Sequence, residues 1–198
     1  MNEAPAPGES GMSTSRLEAF SDGVMAIIVT IMVLEIRPPH EPTMESLRPL
    51  VPILLSYGLS FVFIGIYWNN HHHLLRATRS FDGSVMWANL HLLFWLSLIP
   101  FVTAWVGEDH DHAWPAATYG VISFLAGLAY SVLALMIRRT NRGAEIDQAL
   151  GNDIKGMVSL ALYGTGFFLA FLEPWFAYAA YVLVAIMWFV PDRRLARP

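Results

Sequence analysis

The sequence predicts an all-α integral membrane protein, a bundle of six transmembrane helices, and three observations carry that prediction. Hydrophobic residues make up 55% of the 198 and charged residues only 14%, where an ordinary soluble domain carries about 25% charged. Apolar runs close to 20 residues long recur along the chain, the length that crosses a hydrocarbon core of about 30 Å as a helix. Those runs are nearly continuous in hydrophobicity and do not alternate as a barrel strand would. With no cysteine, disulfide frameworks, thiol nucleophiles and cysteine-based metal sites are excluded. The net charge of −4 says little, since in a membrane protein the placement of charge matters more than its sum.

The first fifteen residues, "MNEAPAPGESGMSTS", are rich in Pro, Gly, Ser and Ala and hold no Lys or Arg, so residues 1–15 are expected to be a disordered tail and not a signal peptide. The first span is read as Leu17–Ile36 and the second as Leu50–His71, the latter ending in "YWNNHHHLLR". The third, Val85–Val106, opens with "WANLHLLFW" and is expected to kink at Pro100, which lacks an N–H. The fourth is Trp114–Ile137. The fifth, Ile154–Leu172, carries the small residues of "GTGFF" as a helix contact, and meets the sixth, Pro174–Val190, in the tight turn "LEPW". A single membrane domain over 16–191 is expected, followed by a short basic tail, 192–198. No soluble domain separates the spans.

Basic residues set the expected orientation. Arg16, Arg76, Arg79, Arg138, Arg139, Arg142, Lys155, Arg193, Arg194 and Arg197 fall on one side, and only Arg37 and Arg48 on the other. The second side also carries the acidic loop "GEDHDH". Six spans then place both termini in the cytoplasm. A 22.2 kDa chain leaves little room for an ion path of its own, so assembly around a symmetry axis is the cheaper way to make one.

Ionisable groups inside an apolar span are costly and usually face the bundle interior. Asp22 lies about one and a half turns into the first span, with Arg16 at its entrance. Antiparallel spans bring Trp68, one or more of His71, His72 and His73, and Asn89, with His91 a further candidate, to the same depth. One reading is that the cluster pins three helices together by hydrogen bonds. Another is a proton-sensitive latch, because histidine titrates near neutral pH. A metal site is disfavoured: consecutive helical residues point about 100° apart, so three adjacent histidines cannot share one ion.

Helix geometry divides the first span into two faces. Arg16, Phe20, Ile27, Ile31 and Leu34 share a stripe with Thr30 beside it, while Asp22, Ala26, Val29 and Val33 share another side. The Asp22 side is expected to pack inside the subunit; periodicity alone leaves the isoleucine stripe to lipid or ordinary packing. The chain carries no Gly-rich phosphate loop, no Ser-His-Asp arrangement and no "TVGYG"-like filter. It is therefore not expected to be an enzyme or to bind nucleic acid.

The segments "RLEAFSDGVMAIIVTIMVLEI", "YWNNHHHLL" and "NLHLLFWLSLIPF" resemble the transmembrane protein 175 family of potassium channels. A single six-span repeat looks like that family's prokaryotic form. The resemblance implies a homotetramer in the cell membrane, passing potassium ions through a central pore lined by the first helices. Carried over by position, Ile27 is the narrowest layer and Leu34 the next, with Thr30 and Ile31 between them. The same resemblance places Arg16, Ser21, Asp22, Trp68, His71 or His72, and Asn89 in a supporting hydrogen-bond network. No cofactor is implied beyond the permeant ion. The competing expectation is a proton-coupled secondary transporter that uses Asp22 and the cytoplasmic-side histidines as a relay.

Overall fold

A computed structural model describes residues 14–78, 80, 82–141 and 153–189. The helices are α1 (Thr14–Leu34), a 3-10 turn (Glu45–Leu50) leading into α2 (Val51–Arg76), α3 (Gly83–Ser97), α4 (Ile99–Glu108), α5 (Ala113–Thr140), α6 (Ile154–Leu169) and α7 (Pro174–Phe189). The expected tails, apart from Thr14 and Ser15, lie outside the described residues, as do Arg79, Arg142 and Arg193 to Arg197.

Helices α3 and α4 form the third span, broken at Leu98. Pro100 has no N–H for the Leu96 carbonyl, so the Leu98 N–H instead bonds the Trp95 carbonyl at 3.2 Å. The ladder resumes with Val102 N–H to the Leu98 carbonyl at 3.3 Å. The expected kink is thus a one-residue break just ahead of the proline. Counting α3 and α4 together gives six rods. Four of them, 14–34, 45–76, 83–108 and 113–140, are long and apolar enough to cross a membrane. Helices α6 and α7 are apolar but have 16 residues each, about 24 Å at 1.5 Å per residue.

Two ends of the bundle can be told apart. The N-terminus of α1, the C-termini of α2 and α5 and the N-terminus of α3 meet at a basic end carrying Arg16, Arg76, Arg138 and Arg139. Asn141 fastens that end: its side chain accepts from Ser80 N–H at 3.0 Å and donates to the Ser80 carbonyl at 2.7 Å. The acidic loop at 107–112 lies at the other end, where Tyr178 O–H donates to the His110 carbonyl at 3.1 Å.

Helix α5 sits in the middle, packed against α3, α4, α6 and α7. Its buried face is built from small residues, Ala116, Ala117, Ala126 and Ala129, which let neighbouring backbones approach closely where lipid supplies no hydrophobic push. Gly120 on α5 and Gly166 on α6 make room for the Tyr181 ring, and a Cβ at either would collide with it. The Tyr181 hydroxyl, buried there, donates to the Ala116 carbonyl at 3.0 Å. The peripheral element is α1, which touches α2, α3 and α4.

Candidate functional site

Three buried side chains, each 0% exposed, fasten α1 to the bundle: Ser21 on α1, His71 on α2 and Asn89 on α3. Asn89 Nδ2 donates to Ser21 Oγ at 2.9 Å, and Ser21 Oγ donates to the Leu17 carbonyl at 2.9 Å. Asn89 Oδ1 is then the atom facing His71 Nε2 at 2.7 Å, so that nitrogen carries the ring proton. Every proton runs one way, from α2 through α3 to α1. His71 Nδ1 is left buried with no partner among the described residues. The geometry assigns His71 to the network and gives His72 a different task.

Two further contacts flank that chain nearer the surface. Trp68 Nε1 donates to Asp22 Oδ1 at 3.1 Å. His72 Nδ1 lies 2.7 Å from Glu18 Oε1, with both side chains about a quarter to a third exposed. The Trp68 and His72 rings stack at 6.1 Å, so Asp22, Trp68, His72 and Glu18 make one continuous seam between α1 and α2. His73 continues the row against His72, ring centroids 5.7 Å apart. Arg16 is exposed and bonds none of the described side chains. His91 points away as well, accepting from Trp95 Nε1 at 2.9 Å on an exposed face. Sequence reasoning did not single out the Glu18–His72 pair; the signal available was an acidic residue inside the first turns of an apolar helix, opposite a run of histidines.

The packing face of α1 is Leu17, Ser21, Met25, Ile28 and Met32, spaced four, four, three and four. The expected face through Asp22, Ala26, Val29 and Val33 is corrected by about one residue: Ala26 and Val33 are exposed, while Asp22 and Val29 are half-buried. Ser21, not Asp22, makes the buried bond, and that choice rotates the helix by about 100°. The isoleucine stripe consequently faces out of the subunit. Ile27 is 57% exposed, Ile31 42% and Leu34 77%, with Thr30 also exposed. The Thr30 hydroxyl donates to the Ile27 carbonyl at 2.9 Å, which turns its proton inward and leaves its oxygen lone pairs outward.

Fold and site together define a multi-pass helical membrane protein whose first helix is riveted at one end and bare along one face. The chain belongs to the TMEM175 family. The family model for the endosomal/lysosomal potassium channel TMEM175 matches residues 16–100, the stretch holding α1, α2, α3 and the rivet. A potassium channel of Chryseobacterium sp. (strain P1-3) is 44% identical over 94% of this chain and 97% of its own. The endosomal/lysosomal proton channel TMEM175 of Gallus gallus is 38% identical over 34% of this chain and 17% of its own. The crystal structure of a lysosomal potassium-selective channel TMEM175 homolog from Chamaesiphon minutus superposes with a TM-score of 0.80 at 28% identity, covering 92% of this chain and 98% of that one.

Proposed function

We propose that four copies of this chain assemble in the cell membrane, termini in the cytoplasm, as a passive potassium-selective channel whose central pore is lined by α1. One observation carries the assignment of the pore: Ile27, Thr30, Ile31 and Leu34 form an exposed stripe on a helix whose opposite face is buried and riveted. A helix held from behind at its inner end presents that stripe in a fixed register. Around a fourfold axis, four Ile27 side chains make an apolar ring that a fully hydrated cation does not pass. The ion sheds part of its water there, and potassium releases water at lower cost than sodium. The outward lone pairs of four Thr30 hydroxyls, one turn on, replace part of the lost hydration. Such a filter discriminates less sharply than a carbonyl cage, and its apolar ring also closes by dewetting. Glu35, exposed at the far end of α1, raises the local cation concentration at the mouth.

The test is ion flux from proteoliposomes holding the purified protein, under potassium, sodium and proton gradients in turn. Passive flux that follows the potassium gradient and is faster than sodium flux supports the channel. Potassium movement strictly coupled to protons sinks it in favour of the transporter, and flux carried by protons alone points to the permeation that the chicken relative's name describes. Chemical cross-linking of the reconstituted protein tests the fourfold assembly.

A further inference from the structure

A cavity of about 50 Å³ lies between α2, α5, α6 and α7, and no residue of α1 lines it. One water needs roughly 10–15 Å³, so the cavity takes a small polar group and not an extended chain. Five aromatic residues wall it: Phe63, Tyr67, Tyr130, Tyr163 and Trp188. Four of the rings run in contact, Tyr163 to Phe63 at 6.0 Å, Phe63 to Tyr67 at 4.8 Å and Tyr67 to Tyr130 at 6.0 Å between centroids. Asp153, exposed, also lines the cavity and stands at its mouth. The Leu160 side chain packs over Gly127. Asp153, seven residues before Leu160, is therefore about 9 Å inside the end of antiparallel α5. At that depth lipid head groups and dissolved amines both reach it.

The polar atoms of the wall are unevenly committed. Tyr130 O–H donates to the Asn70 carbonyl at 3.3 Å, Asn70 Nδ2 to the Ile66 carbonyl at 2.8 Å, and Ser131 Oγ to the Gly127 carbonyl at 3.1 Å. Trp188 Nε1 donates to Ser159 Oγ at 3.0 Å. Most donors are thus used, and the acceptors are not. Among the described residues nothing donates to Asn70 Oδ1 or to Asp153 Oδ2, while Asp153 Oδ1 accepts the Gly156 N–H at 2.9 Å. The Tyr67 and Tyr163 hydroxyls bond none of the described residues, although Tyr163 is only 4% exposed. A buried hydroxyl without a partner is costly, so these oxygens call for a ligand in the cavity.

Ring faces, spare oxygen acceptors and one carboxylate together select a positive charge that carries N–H donors. One wall residue already holds such a group on its ring: Lys155 Nζ stands 5.5 Å from the Trp188 centroid, and Lys155 itself is not part of the lining. Water alone would leave the ring faces unused. A metal ion fits poorly, because no three His, Asp or Glu that could hold one come together among the described residues.

We propose that this cavity binds an organic ammonium group, held by the ring faces, the Tyr67 and Tyr163 hydroxyls and Asn70 Oδ1, with Asp153 as its counter-charge. The site lies behind α2 and does not depend on the pore assignment. The ammonium belongs either to an aminophospholipid head group or to a small soluble amine, and the experiment separates these sources.

The experiment is equilibrium binding of radiolabelled n-propylammonium to the full-length protein, delipidated in dodecyl maltoside, with potassium chloride in excess to occupy the pore. One saturable site per chain is expected, and 1-propanol, similar in shape but uncharged, does not compete. Tyr163→Phe keeps the ring and removes the hydroxyl; affinity is expected to fall about 10-fold, the effect of one hydrogen bond to a charged group. Asp153→Asn keeps a capping side chain but removes the charge, with a fall of similar size. Ile27→Asn leaves binding unchanged, which separates the cavity from the pore. Phosphatidylethanolamine that displaces the probe, where phosphatidylglycerol does not, supports the site with a lipid head group as its occupant; displacement by neither supports it with a soluble amine. Absence of saturable binding overturns the proposal, as does equal competition by 1-propanol, since an apolar hole and not a cation site would then be present. Unchanged affinity in folded Tyr163→Phe and Asp153→Asn overturns it too. Binding that appears only in Lys155→Met assigns the rings to the chain's own lysine and rejects an external ligand. A variant that fails size-exclusion chromatography leaves the other to decide, and the 1-propanol competition needs no variant.

Discussion

The two halves of α1 are held in opposite ways. From Glu18 to Asp22 the helix is tied to α2 and α3 by Ser21–Asn89–His71, Asp22–Trp68 and Glu18–His72, all at 3.1 Å or less. From Met25 to Leu34 its buried side chains are Met25, Ile28 and Met32, with Val29 packed beside them, apolar apart from the one weak bond to sulfur. Polar bonds have narrow distance and angle requirements, so the first half has one register. Methionine and isoleucine contacts tolerate sliding, so the second half is free to adjust by small amounts. On the proposed pore assignment, that division fixes the base of the helix and leaves its constriction adjustable.

The comparison breaks most severely if the buried rivet is cut. Asn89→Ala removes the acceptor that His71 Nε2 has among the described residues and the donor to Ser21 Oγ, leaving buried polar groups unsatisfied at about 1–3 kcal/mol each. The expected result is loss of thermal stability and of oligomer in size-exclusion chromatography, with selectivity unmeasurable for want of protein. The second largest effect belongs to the other half and has the opposite character. Ile27→Asn touches no buried partner, since Ile27 is more than half exposed in the subunit. Assembly and thermal stability should match wild type while potassium loses most of its advantage over sodium in the flux assay. If Ile27→Asn destabilises the subunit as Asn89→Ala does, the division of α1 into anchor and filter is wrong.

Much of this arrangement was legible in the sequence, and the remainder failed for specific reasons. Length and hydropathy placed six helical rods, four of them long and apolar enough to cross a membrane, because an apolar run of about 20 residues has few other fates. The depth at which Asp22, Trp68, His71 and Asn89 meet followed from antiparallel connection, while Ser21 joined them only through the family resemblance. Rotation did not follow. Asp22 was the more conspicuous residue, yet Ser21, one residue away, enters the core, since a serine hydroxyl also bonds its own helix at the Leu17 carbonyl and so needs fewer partners than a buried carboxylate. The buried hydroxyl cluster in which Thr103 Oγ1 donates to Ser60 Oγ at 2.6 Å, with the Tyr119 hydroxyl 3.1 Å from Ser60, was invisible for another reason. Its members sit on three helices, and single hydroxyls scattered in apolar spans have no period that marks them as neighbours. Arg16 was placed in the network by its depth and by family resemblance, and in the isolated subunit it is exposed.

Smaller effects sharpen the first half of α1. Trp68→Phe removes one hydrogen bond to Asp22 at a partly exposed site, and is expected to cost about 1 kcal/mol, read as a modest fall in melting temperature. His72→Gln removes the partner of Glu18 across a seam open to water, where such pairs contribute about 0–1 kcal/mol. The double variant Trp68→Phe/His72→Gln should fall short of the sum of the two, because the stacking that either change weakens is lost only once. Strict additivity would mean that the two contacts act separately and that the buried rivet alone orients α1.

The smallest effect concerns how Asn89 is delivered to its partners. Asp82 caps α3, accepting from Ser84 N–H at 2.9 Å and Val85 N–H at 3.1 Å, and Ser84 Oγ donates to it at 2.6 Å. Asn89 stands seven residues on, two turns along the same helix, so a firm first turn fixes its height. The Ser84 hydroxyl first, and the backbone N–H groups after it, hold the Asp82 carboxyl below its ordinary range. A carboxyl depressed in the folded state adds stability above its unfolded pKa and loses it as pH falls through the folded value. Wild type should therefore exceed Asp82→Ala in melting temperature at neutral pH, and the gap should close on the acid side. Asp82→Asn retains a capping side chain without a titrating group, so its curve should run nearly parallel to that of alanine at higher stability. A gap between wild type and Asp82→Ala that persists unchanged into strong acid would show that the cap acts through its shape and not through its charge.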